Sequence, residues 1–139
     1  MKRLALALLA SALAAGAQAQ QCLPNPGAPT ITPLTPSATG AAGVVSATLT
    51  GQTGRFTYLC GFTVTSVGGA SAANLTLTIS GVPTSMSFAY IDPSSGQGFL
   101  GVAFQPCIPS TATNTSIVVT KPGSGTAVVS AVNAWGCLQ

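Results

Sequence analysis

Charge is what this 139-residue chain has least of. It contains no histidine, and its single acidic side chain is Asp92. Two of its four basic residues, Lys2 and Arg3, stand at the very start, which leaves Arg55 and Lys121 for the body. Each shortage excludes a chemistry. Without histidine there is no imidazole base and no histidine-centred triad. With one carboxylate there is no acid pair for glycoside or aspartic-protease work, and a hard-metal site would be weak. Two cations make no basic patch, so the sequence pI near 8.9 does not point to nucleic acid. A serine–lysine nucleophile would have to recruit Lys121, which stands before Pro122-Gly123 and reads as a solvated lysine at a hairpin tip. Lys121-Pro122-Gly123-Ser124-Gly125 also lacks the order and the strand-to-helix setting of a phosphate-binding loop. Asp92-Pro93-Ser94-Ser95-Gly96 reads as a turn in which the aspartate accepts backbone N–H bonds. The expectation is a protein that is not an enzyme and takes no cofactor or metal.

Long apolar runs are missing too. The one at residues 4–15 is shorter than the roughly 20 residues a membrane span needs. It follows Met1-Lys2-Arg3 and precedes Ala17-Gln18-Ala19, the layout of a secretory signal peptide cut after Ala19. Lipid attachment at Cys22 would call for a different approach to the cysteine than Ala19-Gln20-Gln21. The reading is therefore 1–19 as a cleaved bacterial-type signal, with a secreted, periplasmic or cell-surface product that does not insert into a membrane. About 120 residues then remain, enough for one domain. A hydrophobic content of 47% and a mean hydropathy of +0.55 favour a folded chain over a disordered one.

Four cysteines are present: Cys22, Cys60, Cys107 and Cys137. An even number behind a signal implies two disulfides, with three pairings open. The spacings fit neither a C-x-x-C redox motif nor a zinc site. The favoured pairing is Cys60–Cys107, between two apolar strands, with Cys22–Cys137 clipping the termini together. Closing the 60–107 loop would contribute roughly 4 kcal/mol through chain entropy.

What the chain has in quantity is threonine, serine, valine, alanine and glycine in alternation. Residues 55–66 set the pattern: Phe56, Tyr58, Cys60, Phe62 and Val64 share one predicted inner face, with Thr57, Leu59, Gly61, Thr63 and Thr65 opposite. Leu75, Leu77 and Ile79 alternate with polar residues, as do Met86, Phe88 and Tyr90. Strands are predicted at 44–50, 55–66, 73–80, 85–91, 99–105, 115–120 and 125–135, joined by Gly-, Pro- and Ser-rich turns. No stretch of the body carries the helical period. About seven short strands without βα alternation predict an all-β, disulfide-braced antiparallel β-sandwich of immunoglobulin-like or jelly-roll type. Trp135 follows both Cys60 and Cys107, which is not the immunoglobulin order. Residues 20–43, with Pro24, Pro26, Pro29, Pro33 and Pro36, form a Pro-rich arm ahead of a sandwich at 44–139. The arm's path is extended and laid along the domain, and 37–43 is a joint.

Three aromatics bear on binding. Tyr58 belongs with the core, whereas Tyr90, before a loop, and Trp135, near the last strand's end, are candidates to stack on a glycan or another small ligand. Leu59-Cys60-Gly61-Phe62, the segment from Gly101 to Pro109 around Pro106-Cys107-Ile108-Pro109, and Asn133-Ala134-Trp135-Gly136 resemble small Gly/Thr/Val-rich β proteins of unknown function from bacteria and their phages. That resemblance covers roughly residues 55–136 and implies an accessory structural role on a cell or virion surface, with no catalytic residue to transfer. The leading expectation is an exported structural or surface-interaction module. Its low charge and unpaired sheet edges would favour self-association or a cell-surface protein partner. The alternative is a glycan or small-ligand binding module using Tyr90 and Trp135.

Overall fold

The alternation of small, branched and apolar side chains becomes strands in the computed structural model, which describes Cys22 and residues 30–68, 72–123 and 129–139. The signal segment 1–19, the arm at 23–29, and the turns expected at Gly69-Ala70 and Ser124-Gly125 lie outside the described residues. Among the described residues the elements are β1 (Thr32–Leu34), β2 (Ser37–Ala41), β3 (Val45–Leu49), β4 (Thr57–Val67), β5 (Ala73–Ser80), β6 (Met86–Asp92), β7 (Gln97–Pro109), β8 (Ile117–Lys121) and β9 (Val129–Leu138), with no helix. They form two antiparallel sheets. The five-stranded sheet runs β1-β9-β4-β7, with β2 also paired to β9, and the four-stranded sheet runs β3-β8-β5-β6. The protein is an all-β antiparallel sandwich braced by two disulfides.

Two of the nine strands come from the Pro-rich arm and the expected joint. Pro33 faces Cys137 of β9, and Ser37 to Ala41 pair with Asn133 to Val129. Proline is tolerated there because β1 is an edge, where a missing N–H costs no ladder bond on the open side. The second half of the arm is thus part of the sheet.

The core lies between the sheets, lined by Leu49, Leu59, Phe62, Val64, Leu77, Ile79, Ile117, Val119 and Val132, all fully buried. Phe62 meets Phe88 edge-on at 5.3 Å between ring centroids, and Phe104 completes the cluster 6.3 Å from Phe62. Such pairs contribute about 0.5–1.5 kcal/mol beyond the area they bury.

The predicted inner face of β4 is half right. Phe62 and Val64 point inward, but Phe56 is exposed and Tyr58 and Cys60 are half-buried, while Thr57 and Leu59 are fully buried instead. A β-bulge explains the exchange. Leu59 pairs with Gly136 and Gly61 with Trp135, so Cys60 is an extra residue opposite β9. One inserted residue flips the side-chain parity of everything before it. Tyr58 therefore leaves the core and joins the outer face.

Candidate functional site: the outer sheet face and the two closed ends

The outer face of the five-stranded sheet is built from the residues that the register places side by side. Thr63 lies between Gly101 and Asn133, Thr65 between Phe99 and Ala131, and Val67 between Gln97 and Val129. Phe99, Val67 and Val129 are more than half exposed, at 68%, 53% and 58%. Asn133 donates from Nδ2 to Thr63 Oγ1 at 3.3 Å. Trp135 lies half-buried across Gly61, where an added Cβ would overlap the indole ring. Glycine at 61 is what lets the ring lie against the sheet. Among the described residues, no charged side chain stands on this face.

At one end of the sandwich the sulfurs gather. Cys60 is bonded to Cys107 and Cys22 to Cys137, the pairing favoured from sequence, with Cα–Cα separations of 4.3 and 5.6 Å. Cys60 and Cys107 tie β4 to β7 within one sheet, while Cys22 anchors the start of the arm to β9. The bulge puts Cys60 outside the core, so this bond braces the sheet's outer side and not the packing between sheets. The two disulfides touch: Cys22 Sγ lies 3.3 Å from Cys60 Sγ. The sulfurs of Cys22, Cys60 and Cys107 all lie within 4.8 Å of one another. Sequence spacing concealed this cluster, because residues 38 and 47 positions apart become neighbours only through strand pairing.

Arg55 closes the same end. Its Nη1 donates to Thr32 Oγ1 at 2.9 Å, and its Nη2 donates to the carbonyls of Leu138, at 2.9 Å, and of Thr30. Phe56 and Gln139 exchange backbone bonds at 2.8 and 3.0 Å, so the C-terminus is paired.

The opposite end is closed by an ion pair that the turn readings of Lys121 and Asp92 missed. Lys121 Nζ donates to Asp92 Oδ2 at 2.8 Å, and both side chains are fully buried. Lys121 is neither solvated nor at a hairpin tip. Strand parity held the signal: Ile117, Val119 and Lys121 share a face, as do Phe88, Tyr90 and Asp92, and both faces point inward. The lysine ammonium also stands 6.0 Å from the Tyr90 ring centroid, within reach of a cation–π attraction. Tyr90 OH and Ser66 Oγ share a hydrogen bond of 2.6 Å. Burial raises the Tyr90 pKa above its ordinary value, Ser66 partly offsets this, and the Asp92 charge adds to the rise. Tyr90 is only 5% exposed, so its ring cannot stack on a ligand at the surface. Of the two aromatic candidates, only Trp135 stands on an outer face.

Comparisons with known proteins add little. No protein-family model matches the chain, and no curated protein matches it. Among solved structures, one similar chain comes from the virus-like particle of the extra small virus of the giant freshwater prawn Macrobrachium rosenbergii. It is 11% identical, with a TM-score of 0.34, over 82% of this chain and 87% of that one. A score that low carries no argument about this protein.

Two disulfides are the usage of an oxidising compartment. No helix among the described residues is long and apolar enough to cross a membrane.

Proposed function

We propose that the chain is an exported, non-catalytic structural module that assembles with copies of itself, edge to edge, through β7. The observation that carries this reading is the character of that edge. β7 ends the five-stranded sheet and has a single strand partner, β4, among the described residues. From Gln97 to Gln105 it has neither lysine nor proline, the residues that natural edges use to discourage pairing. Its exposed positions are Gln97, Phe99, Gly101, Ala103 and Gln105, all uncharged. Little elsewhere on the surface opposes self-contact, since Lys121 and Asp92 are buried together and Arg55 is half-buried. The resemblance to small exported β proteins of bacteria and phages agrees with an accessory structural role outside the cytoplasm.

Sedimentation velocity over a range of concentrations tests the reading. The mature protein is expected to associate, and Ala103→Lys to weaken association at least tenfold while leaving the β spectrum unchanged. A protein that stays monomeric throughout, or association that Ala103→Lys does not alter, would remove the proposal.

One observation favours a second reading. Trp135 lies against the sheet over Gly61, beside the hydrogen-bonded Asn133–Thr63 pair, on an uncharged face. An aromatic plane flanked by amide and hydroxyl groups suits a neutral glycan. Titration with oligosaccharides, read by Trp135 fluorescence, distinguishes this module from the first: saturable quenching supports it, and an unchanged spectrum leaves assembly as the reading.

A further inference from the structure

The four cysteines form one reactive unit and not two independent braces. We propose that the cluster is a thiol–disulfide exchange site, whose substrate class is an external thiol and whose internal step moves the arm's covalent anchor from β9 to β4. The proposal is independent of the assembly reading.

Three observations carry it. Cys22 Sγ lies 3.3 Å from Cys60 Sγ, so the two disulfides are in van der Waals contact. The sulfurs differ in access: Cys22 and Cys60 are half-buried, whereas Cys107 and Cys137 are 9% and 1% exposed. An incoming thiol therefore meets Cys22 or Cys60 first. Cys22 is also joined to the sheet through a different strand from the pair it touches, so exchange changes the connectivity of the chain.

Each step balances. An external thiolate attacks Cys22 Sγ, the Cys22–Cys137 bond breaks, and Cys137 leaves as a thiolate that takes up a proton. A second external thiolate attacks the sulfur of the mixed disulfide, leaves as the external disulfide, and releases Cys22 as a thiolate. Cys22 then attacks Cys60 Sγ, a Cys22–Cys60 bond forms, the Cys60–Cys107 bond breaks, and Cys107 takes the electron pair and a proton. The net change is a two-electron reduction of the protein and oxidation of two external thiols. One disulfide remains, and the arm stays tethered, now to β4.

A disulfide bond is about 2 Å long, so a Cys22–Cys107 sulfur separation within 4.8 Å is less than that bond and the 3.3 Å contact combined, and the three sulfurs do not stand in line. In-line attack requires the Cys22 side chain to turn, which release from Cys137 permits.

Two variants of the full chain test this. In Cys137→Ser, Cys22 begins as the free thiol. After quenching in acid, alkylation in denaturant and peptide mapping, a mixture is expected: Cys60–Cys107 with alkylated Cys22, and Cys22–Cys60 with alkylated Cys107. The approach to that mixture quickens roughly tenfold per pH unit below the thiol pKa. In Cys107→Ser, Cys60 is the attacker, and Cys22–Cys60 appears with Cys137 alkylated. Circular dichroism confirms that each variant keeps its strands, and the same exchange is timed in concentrated urea. Faster exchange in the folded variants than in urea supports the site. Absence of a Cys22–Cys60 bond in both variants, or exchange no faster folded than unfolded, overturns it.

Discussion

The two ends of this sandwich are closed by opposite means. β4 runs through both: Cys60 lies near its start and Ser66 near its end, roughly 20 Å apart at strand rise. At the Cys60 end the closure is covalent and sits on the outer side of one sheet, helped by Arg55 reaching the arm and the C-terminus. At the Ser66 end the closure is ionic and internal, with Lys121 of β8 and Asp92 of β6 paired on the inner face of the four-stranded sheet beside Tyr90. A domain of this size with a modest core gains from tying its ends, and the difference lies in what each tie constrains. The disulfides restrict the unfolded chain, whereas the ion pair forms only once folding sets β6 and β8 either side of β5 and buries both charges.

That contrast can be broken from the strong side first. Replacing Cys22 and Cys137 together by serine opens a link with a sequence separation of 115 and is expected to cost about 4–5 kcal/mol in urea unfolding. Asp92→Ala leaves Lys121 without its carboxylate and should cost about 3–5 kcal/mol. The pair Asp92→Leu with Lys121→Met sharpens the point. If the ion pair specifies and does not stabilise, this double variant returns to within about 1 kcal/mol of the parent. An equal loss in the single and the double variant would mean that the charges themselves hold that end.

The smallest effect belongs to Tyr90. Because its folded-state pKa is raised, the folded protein holds the phenol proton where the unfolded chain has released it. The stability this contributes is complete below the unfolded value of about 10 and is lost as pH rises through the folded value. Tyr90→Phe should cost about 1 kcal/mol at neutral pH, by leaving Ser66 without its partner. It should also flatten the fall in stability, followed by denaturant titration, as pH rises above about 10.

How much of this was legible follows the same division. Strand β5 (Ala73–Ser80) stands where its alternation places it, since Leu75, Leu77 and Ile79 meet no irregularity. The disulfide end was readable in its pairing but not in its position. A bulge at Cys60 shifts side-chain parity by one residue, and no local signal in Leu59-Cys60-Gly61 announces it, so plain alternation puts Phe56, Tyr58 and Cys60 on the wrong face. β1 and β2 escaped because Pro33 and a run of small residues resemble a linker, and only pairing with β9 makes them strands. At the ionic end the information was present and outweighed. Alternation through Tyr90-Ile91-Asp92 and Val119-Thr120-Lys121 points both charges inward, but the turn chemistry that follows reads as a solvated tip for Lys121 and a backbone-bonded turn for Asp92. A strand's parity deserves more weight than the composition of the loop after it when the last residue is charged.

The most direct test is a non-reducing native mass spectrum of the disulfide-bonded protein. The expected result is a subunit mass four hydrogens below that of the reduced chain, distributed over a discrete oligomer or a ladder of them. A monomer of that same mass at every concentration would contradict assembly as its function.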